Sequence, residues 1–368
     1  MVIRILQENL IKALTRTGRI ISSKTQLPIL QNVLLRTGEG VLEVIASNLE
    51  TTEKVSSGAK IDKPGSLCIS SKLLTEFVLS LPQETVTLEE KDQQLSITCG
   101  RYKATIPTIS PSEFPPIPED LKQEGKGVES TILLVAIEEV LFSAATDEGR
   151  PLLTGIKITS DDKDVSFAAT DGYRLSVTSV KTGSPLELSM VVPARALSEV
   201  VKTIHEEKEI KKISLAKSED GQLVCIVGDT HITTRLLEGE YPSYNKIIPK
   251  THTTRLTIDK GELLQAVRSA SIFARDNANI IRFHIESRLL VVSANTPQVG
   301  ENKIEVEGET EGEGGDIAFN SRFLLDFLSH FTGKRVVFEM TGSLNPGLFR
   351  DPNKESYLHV IMPVRVQA

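Results

Sequence analysis

Short runs in which apolar and polar residues alternate, such as TVTLEE at 85 to 90 and QLSITC at 94 to 99, are interspersed with single stretches of helical period. Alternation places every second side chain on one face and predicts half-buried strands, whereas a period near 3.6 predicts helices with one apolar stripe. Both patterns occur together beyond residue 255. LTI predicts a strand, Asp259 an N-cap with Glu262 three residues on, and LLQAVRSAS a helix with Leu263, Val267 and Ala270 on one face. Near the start, VIRIL and then NLIKALTRT give the same strand and helix, with Gly18 predicted to close the helix.

The pattern repeats. An apolar strand runs into a small residue and a polar turn in LEVIASNLE at 42 to 50, VSFAATDGY at 165 to 173 and LVVSANTPQ at 290 to 298, which puts Ala46, Ala169 and Ala294 123 and 125 residues apart. A strand, a cation and an amphipathic helix recur in ISSKLLTEFVLSL, VPARALSEVVKTI and FNSRFLLDFLSHF, with Lys72, Arg195 and Arg322 separated by 123 and 127 residues. SEFPPIP and GEYPSYNKIIP place Phe114 and Tyr241 127 apart, and the third copy ends instead as a strand, YLHVIMPVRV. A period this long is a domain length rather than a solenoid unit. The expected domains are 1–121, 129–248 and 252–368, joined by polar linkers near 119–129 and 249–255. Two helices and at least six strands per copy give an α+β fold of three tandem domains with mostly antiparallel sheets.

Composition narrows the function. A chain of 368 residues, 39% hydrophobic, can bury a large core. Cys68, Cys99 and Cys225 are far apart and show no metal-ligand or disulfide spacing, so a reduced, cytoplasmic location is expected. Arg4, Glu8 and Lys12 break the N-terminal apolar run, and no run of about 18 apolar residues occurs, which argues against secretion and membrane spanning. The net charge of −7 does not by itself exclude nucleic acid, because the location of the cations matters more than the sum.

No Gly-rich phosphate loop and no histidine ligand spacing is present, so neither cofactor nor metal is expected. Asp161, Asp162 and Asp164 lack the glycine and distal glutamate of a calcium loop and read as a solvated turn. VEGETEGEGGD at 306 to 316 reads as an exposed acidic loop. Asp171 and Gly172 are turn residues rather than parts of an acid–base pair with Tyr173 and Arg174, and no catalytic residue is assigned.

LPILxNVLL at 27 to 35, ATDGYRL at 169 to 175, EYPSYNKIIP at 240 to 249 and the terminal VIMPVRV resemble, in order and spacing, the bacterial DNA polymerase III beta subunit, a sliding-clamp family, over essentially the whole chain. The resemblance implies a non-enzymatic processivity factor. Two three-domain protomers would close head to tail into a ring around duplex DNA, with helices facing the hole. It also implies a peptide pocket for the polymerase III alpha subunit, the clamp loader, other polymerases and repair proteins. The matching positions are Leu153, Thr170, Gly172, Tyr173, Arg174, Leu175, Pro242, Ile247, Val360 and Met362, flanked by Arg150, Asn320, Phe323, Leu344, Pro363, Val364 and Arg365. Leu, Ile, Val and Met would form the floor for a leucine or phenylalanine of the partner, with Arg and Asn fixing its backbone.

Pro151 and Leu152 stand where the family often has aromatics, and Tyr173 where histidine is commoner. For DNA the resemblance carries over Lys24, and the predicted inner helices add Lys12, Arg16, Lys72, Arg195, Lys202, Arg268, Arg275 and Arg322, with Glu138 and Glu139 as acidic exceptions. The implied ring contact pairs Lys72, Leu73 and Lys103 with Ile272, Phe273 and Glu301. Two rival readings are an enzyme with an active site dispersed over three domains, and a three-domain peptide scaffold that does not bind DNA.

Overall fold

The computed structural model describes residues 1–21, 27–118, 126–147, 149–162, 164–182, 189–218, 220–296 and 300–365. Among them are six helices, two in each copy: α1 (Gln7–Gly18), α2 (Ser71–Leu79), α3 (Ser130–Leu141), α4 (Ala194–Glu206), α5 (Lys260–Ala274) and α6 (Ser321–His330). Local chemistry starts three of them. Asp259 accepts the N–H of Glu262 at 3.0 Å, Ser70 that of Leu73 at 3.4 Å and Asn320 that of Arg322 at 2.9 Å. Leu263, Val267 and Ala270 form the buried face of α5, as the spacing predicts.

Every strand pair among the described residues is antiparallel, consistent with the expected α+β class. Contacts divide the chain into two compact units, Met1–Thr131 with Arg195–Leu236, and Ile132–Ala194 with Leu237–Ala368. The middle copy is thus shared, because its two halves are spliced by backbone hydrogen bonds into the sheets of its neighbours. In the first unit Thr230–Arg235 of the middle copy pairs with Thr51–Gly58 of the first, bringing Ile232 opposite Glu53 within an eight-stranded sheet. In the second unit Arg174–Lys181 of the middle copy pairs with Lys354–Ile361 of the third, bringing Ser176 opposite His359 within a twelve-stranded sheet.

Each unit has its own core. In the first, α1 and α2 bury Leu10, Leu14, Leu74 and Val78 against Val33, Leu35, Val44 and Val55. In the second, Phe283, Phe319, Phe327, Phe338 and Phe349 pack together, Phe283 meeting Phe319 edge-on at 5.6 Å and 77°. Full burial of such side chains contributes roughly 1.5–3 kcal/mol each.

Several local expectations are corrected. Gly18 is the last residue of α1, as expected, but not in the left-handed region; Arg19 follows in right-handed helical conformation, its N–H on the carbonyl of Arg16. The acidic segment 306–316 is not a loop. Gly300–Gly312 is one long strand, and Glu305, Glu307, Glu309 and Glu311 occupy its exposed face in strict alternation with Val306, Gly308 and Thr310. Residues 126–129, expected as linker, form a strand paired with Lys212–Lys217, while 119–125 lie outside the described residues. Among the described residues no helix is long and apolar enough to cross a membrane.

Candidate functional site

In the second unit the TDGYR segment makes a tight turn fixed by its own side chains. Asp171 Oδ1 accepts the N–H groups of Tyr173 and Arg174 at 2.9 and 3.0 Å, Thr170 Oγ1 accepts that of Gly172 at 3.0 Å and donates to the Arg174 carbonyl at 2.6 Å. Gly172 has φ +91, which favours glycine, and a Cβ there would meet the mobile end of Arg150, Nη1, at 2.7 Å. Beyond the turn, Leu175 lies opposite Val360, and both are buried in one cluster with Leu348, edged by Tyr244 and Ile247. Met362 donates its N–H to the Tyr173 carbonyl at 2.8 Å, and Val364 to Ala318 at 2.8 Å, so the last described residues run past the turn.

Leu153 is buried, Met362, Pro363 and Val364 are partly buried, and Arg150, Pro242 and Arg365 are exposed. Leu344, 62% exposed, sits outside the buried cluster, and Leu348, which the sequence reading did not name, fills it instead. Asn320 and Arg174 are partly or wholly engaged within the chain. The Asn320 side-chain Oδ1 caps α6 by accepting the Arg322 N–H. The Arg174 side chain, 10% exposed, is bonded to Asp171 and Asp326 and lies 4.8 Å from the Phe323 ring centre and 5.7 Å from that of Phe142.

The expected DNA-binding cations fall into two groups. Lys72, Arg195, Lys202, Arg268, Arg275 and Arg322 are exposed on α2, α4, α5 and α6 or just beyond, with Lys202 also paired to Glu199 at 2.7 Å. Arg16 is different: it is 1% exposed, and its guanidinium donates to Glu206 at 2.8 Å, Glu207 at 2.6 Å, Asp229 at 3.2 Å and Thr230 at 3.0 Å. Every nitrogen is used inside the first unit, so Arg16 presents no charge to solvent and its assignment to DNA is withdrawn. Lys12, half exposed, joins the same cluster through Glu207 at 2.5 Å. Burial pushes the Glu207 carboxyl up, but the hydrogen bonds from Lys12 and Arg16 outweigh it and hold that group below the ordinary range.

Glu139 is likewise not an exposed acid: it is buried, takes Lys354 Nζ at 2.6 and 2.7 Å, and accepts Thr178 Oγ1 at 2.7 Å. Lys24 lies outside the described residues.

Both units carry terminal strands with one unpaired side among the described residues, and two such edges carry residues expected at the ring contact. Tyr102–Pro107 ends the five-stranded sheet of the first unit, paired only with Gln94–Cys99, and carries Lys103. In the second unit the Gly300–Glu307 portion of the long strand, with Glu301, is paired on one side with Leu289–Thr296, whereas Thr254–Asp259 takes only Gly308–Gly312. Exposed apolar side chains accompany both edges, Leu73 and Tyr102 in the first unit, Ile272 beside half-buried Phe273 in the second. Asn302 Oδ1 is buried without a hydrogen-bond partner. The sequence reading did not single out Arg101, Tyr102 or Asn302, yet the repeat held the signal: Asn302, Glu53 and Ser176 all lie opposite the landmark alanines Ala294, Ala46 and Ala169.

Comparison with known proteins accounts for the repeat. Models of the N-terminal, central and C-terminal domains of the DNA polymerase III beta subunit match residues 1–118, 127–243 and 245–365. A Synechococcus elongatus protein named beta sliding clamp is 28% identical over 370 residues, covering 98% of each chain. The crystal structure of the Bacillus subtilis DNA polymerase sliding clamp superimposes with a TM-score of 0.93 at 24% identity over 100% of both chains. The DNA polymerase III beta chain of Streptococcus pneumoniae gives 0.93 at 26% identity, over 99% of this chain and 100% of the other. With three domain models spanning nearly its whole length, the chain belongs to the DNA polymerase III beta subunit family.

Proposed function

We propose that this chain is a DNA sliding clamp, a non-enzymatic processivity factor in which two protomers close head to tail around duplex DNA. One observation carries the reading. Neighbouring copies are joined by a strand pair of one kind, which occurs twice, as Thr230–Arg235 on Thr51–Gly58 and as Lys354–Ile361 on Arg174–Lys181. The third such pair has no partner within the chain, and its two halves are the open edges Tyr102–Pro107 and Gly300–Glu307. Unpaired edges of this kind are association templates, and a head-to-tail dimer pairs both of these with each other.

The repeat sets the register of the proposed contact. Cys99 faces Tyr102 across one tight turn as Val227 faces Thr230 across another, which makes Ala104 the counterpart of Ile232. Since Ile232 lies opposite Glu53, Ala104 would lie opposite Asn302 of a second copy, with Arg101 opposite Glu305 and Lys103 directly opposite Lys303, its charge offset by Glu301 and Glu305 on the diagonals. The junction therefore holds one directly opposed unlike pair, Arg101 with Glu305, and a lysine pair flanked by glutamates. A duplex inside such a ring is held by topology, so the exposed cations Lys72, Arg195, Lys202, Arg268, Arg275 and Arg322 need only brush phosphates. Lys24 is assigned to the same role by resemblance.

The buried floor of Leu175, Val360 and Leu348, edged by Ile247 and with Leu153 and Met362 assigned to it by resemblance, fits short apolar peptide segments of polymerase, clamp-loader and repair partners. The test combines sedimentation with retention after loading. A mass twice that of the chain, with protein kept on circular DNA and lost when the circle is cut, is expected. A monomer, or equal retention on both forms of DNA, overturns the ring.

A further inference from the structure

We infer that Arg174 is a positioning residue that pins the pocket turn to α6 through Asp326, leaving Arg150 as the cation that a docked peptide meets. The inference rests on the peptide-pocket reading above. The Arg174 guanidinium spans two carboxylates, with Nε on Asp171 Oδ2 at 3.0 Å and Nη1 on Asp326 Oδ2 at 2.6 Å. Phe323 and Phe142 hold it by their ring faces, and it has little exposure left for a ligand. Asp171 in turn orders the turn by accepting the N–H groups of Tyr173 and Arg174. The chain of contacts therefore runs from α6, through one guanidinium, to the backbone that the pocket is built on.

Two consequences shape recognition. Tyr173, 58% exposed, lies nearly parallel to Phe323 with ring centres 6.2 Å apart and planes at 19°, so the pinned turn presents a flat aromatic wall. Arg150 is exposed and lies so close over Gly172 that a Cβ there would come within 2.7 Å of its Nη1. The cation at the turn is thus Arg150, suited to a carboxylate or carbonyl of an otherwise apolar peptide, while the charge of Arg174 is satisfied internally.

The two roles of Arg174 make opposite predictions for Asp326→Asn, a variant of nearly unchanged shape on α6. If Arg174 positions the turn, loss of its anchor weakens peptide binding by about tenfold, since a loosened supporting contact degrades the site it holds. If Arg174 is itself a ligand, freeing it leaves affinity unchanged or improves it. The probe is a fluorescein-labelled synthetic hexapeptide ending in Leu-Phe, titrated by anisotropy into the full chain at several salt concentrations.

Weaker binding by Asp326→Asn, and no further effect of that change in an Arg174→Ala background, supports the inference. Arg150→Ala is expected to flatten the salt dependence, whereas Arg174→Ala keeps the native slope. Unchanged or tighter binding by Asp326→Asn overturns it, as does a flattened slope in Arg174→Ala. Failure of the unmodified chain to bind the probe instead overturns the pocket reading itself.

Discussion

Glu53 offers the most quantitative test of the junction in the first unit. Its side chain is 1% exposed, and neither carboxylate oxygen has a hydrogen-bond partner. Burial, and then the negative charge of Glu199, push it from 4.5 to about 7, against the opposing pull of Arg19 and Arg16; Glu206 adds to the upward push. The folded chain therefore binds this proton more tightly than the unfolded one. Stability from this group is present at acid pH and is lost as pH rises from about 4.5 through about 7, with the full penalty above that.

A shift of this size corresponds to about 3 kcal/mol. Glu53→Gln removes the titration but keeps a buried polar group, which costs about 1 kcal/mol, so a net gain of about 2 kcal/mol is expected at pH 8. For a body of this size that corresponds to roughly 4–8 °C in melting temperature. The gain should vanish near pH 4.5. Thermal melts of both chains across pH 4.5–8, with amide exchange on Thr51–Gly58 and Thr230–Arg235 to localise the effect, provide the measurement. A variant less stable than the parent at pH 8, or a gain independent of pH, refutes the reasoning.

The second unit should respond to pH in the opposite direction. His359 is fully buried, bonded to Ser176 at 2.8 Å and stacked on Phe327 at 4.7 Å, and burial followed by the charge of Arg174 holds it well below 6.5; stability is lost as pH falls below about 6.5, visible as faster amide exchange in Lys354–Ile361. Ile272→Ala with Phe273→Ala should shift dimer to monomer, and a sedimentation mass still at twice the chain mass would count against the edge assignment. Met362→Ala with Leu153→Ala should weaken partner peptides by about 2–4 kcal/mol while leaving the ring intact, and unchanged calorimetric affinity would contradict the floor as drawn. Arg16→Ala should destabilise the first unit by about 2 kcal/mol in denaturant melts, because it removes a buried guanidinium from carboxylates that are themselves partly exposed; a change in DNA retention with native stability would restore its DNA role.

Much of this molecule is decided locally and is legible in the chain. Asp259 and Ser70 cap helices with their own side chains, Asp171 and Gly172 make their turn within four residues, and the landmark alanines mark three copies. Pairing across copies is a different matter. Nothing near Arg16 in sequence predicts that Glu206, Glu207, Asp229 and Thr230 will surround it, because those partners arrive from a strand and helix roughly two hundred residues away. Arg174 looked like a free cation for the same reason, since Asp326 comes from the next copy. Periodicity and capping act over a few residues and fix which faces are apolar. Which charge is neutralised and which strand edge stays open depends on contacts between distant segments, and only the assembled sheets decide them.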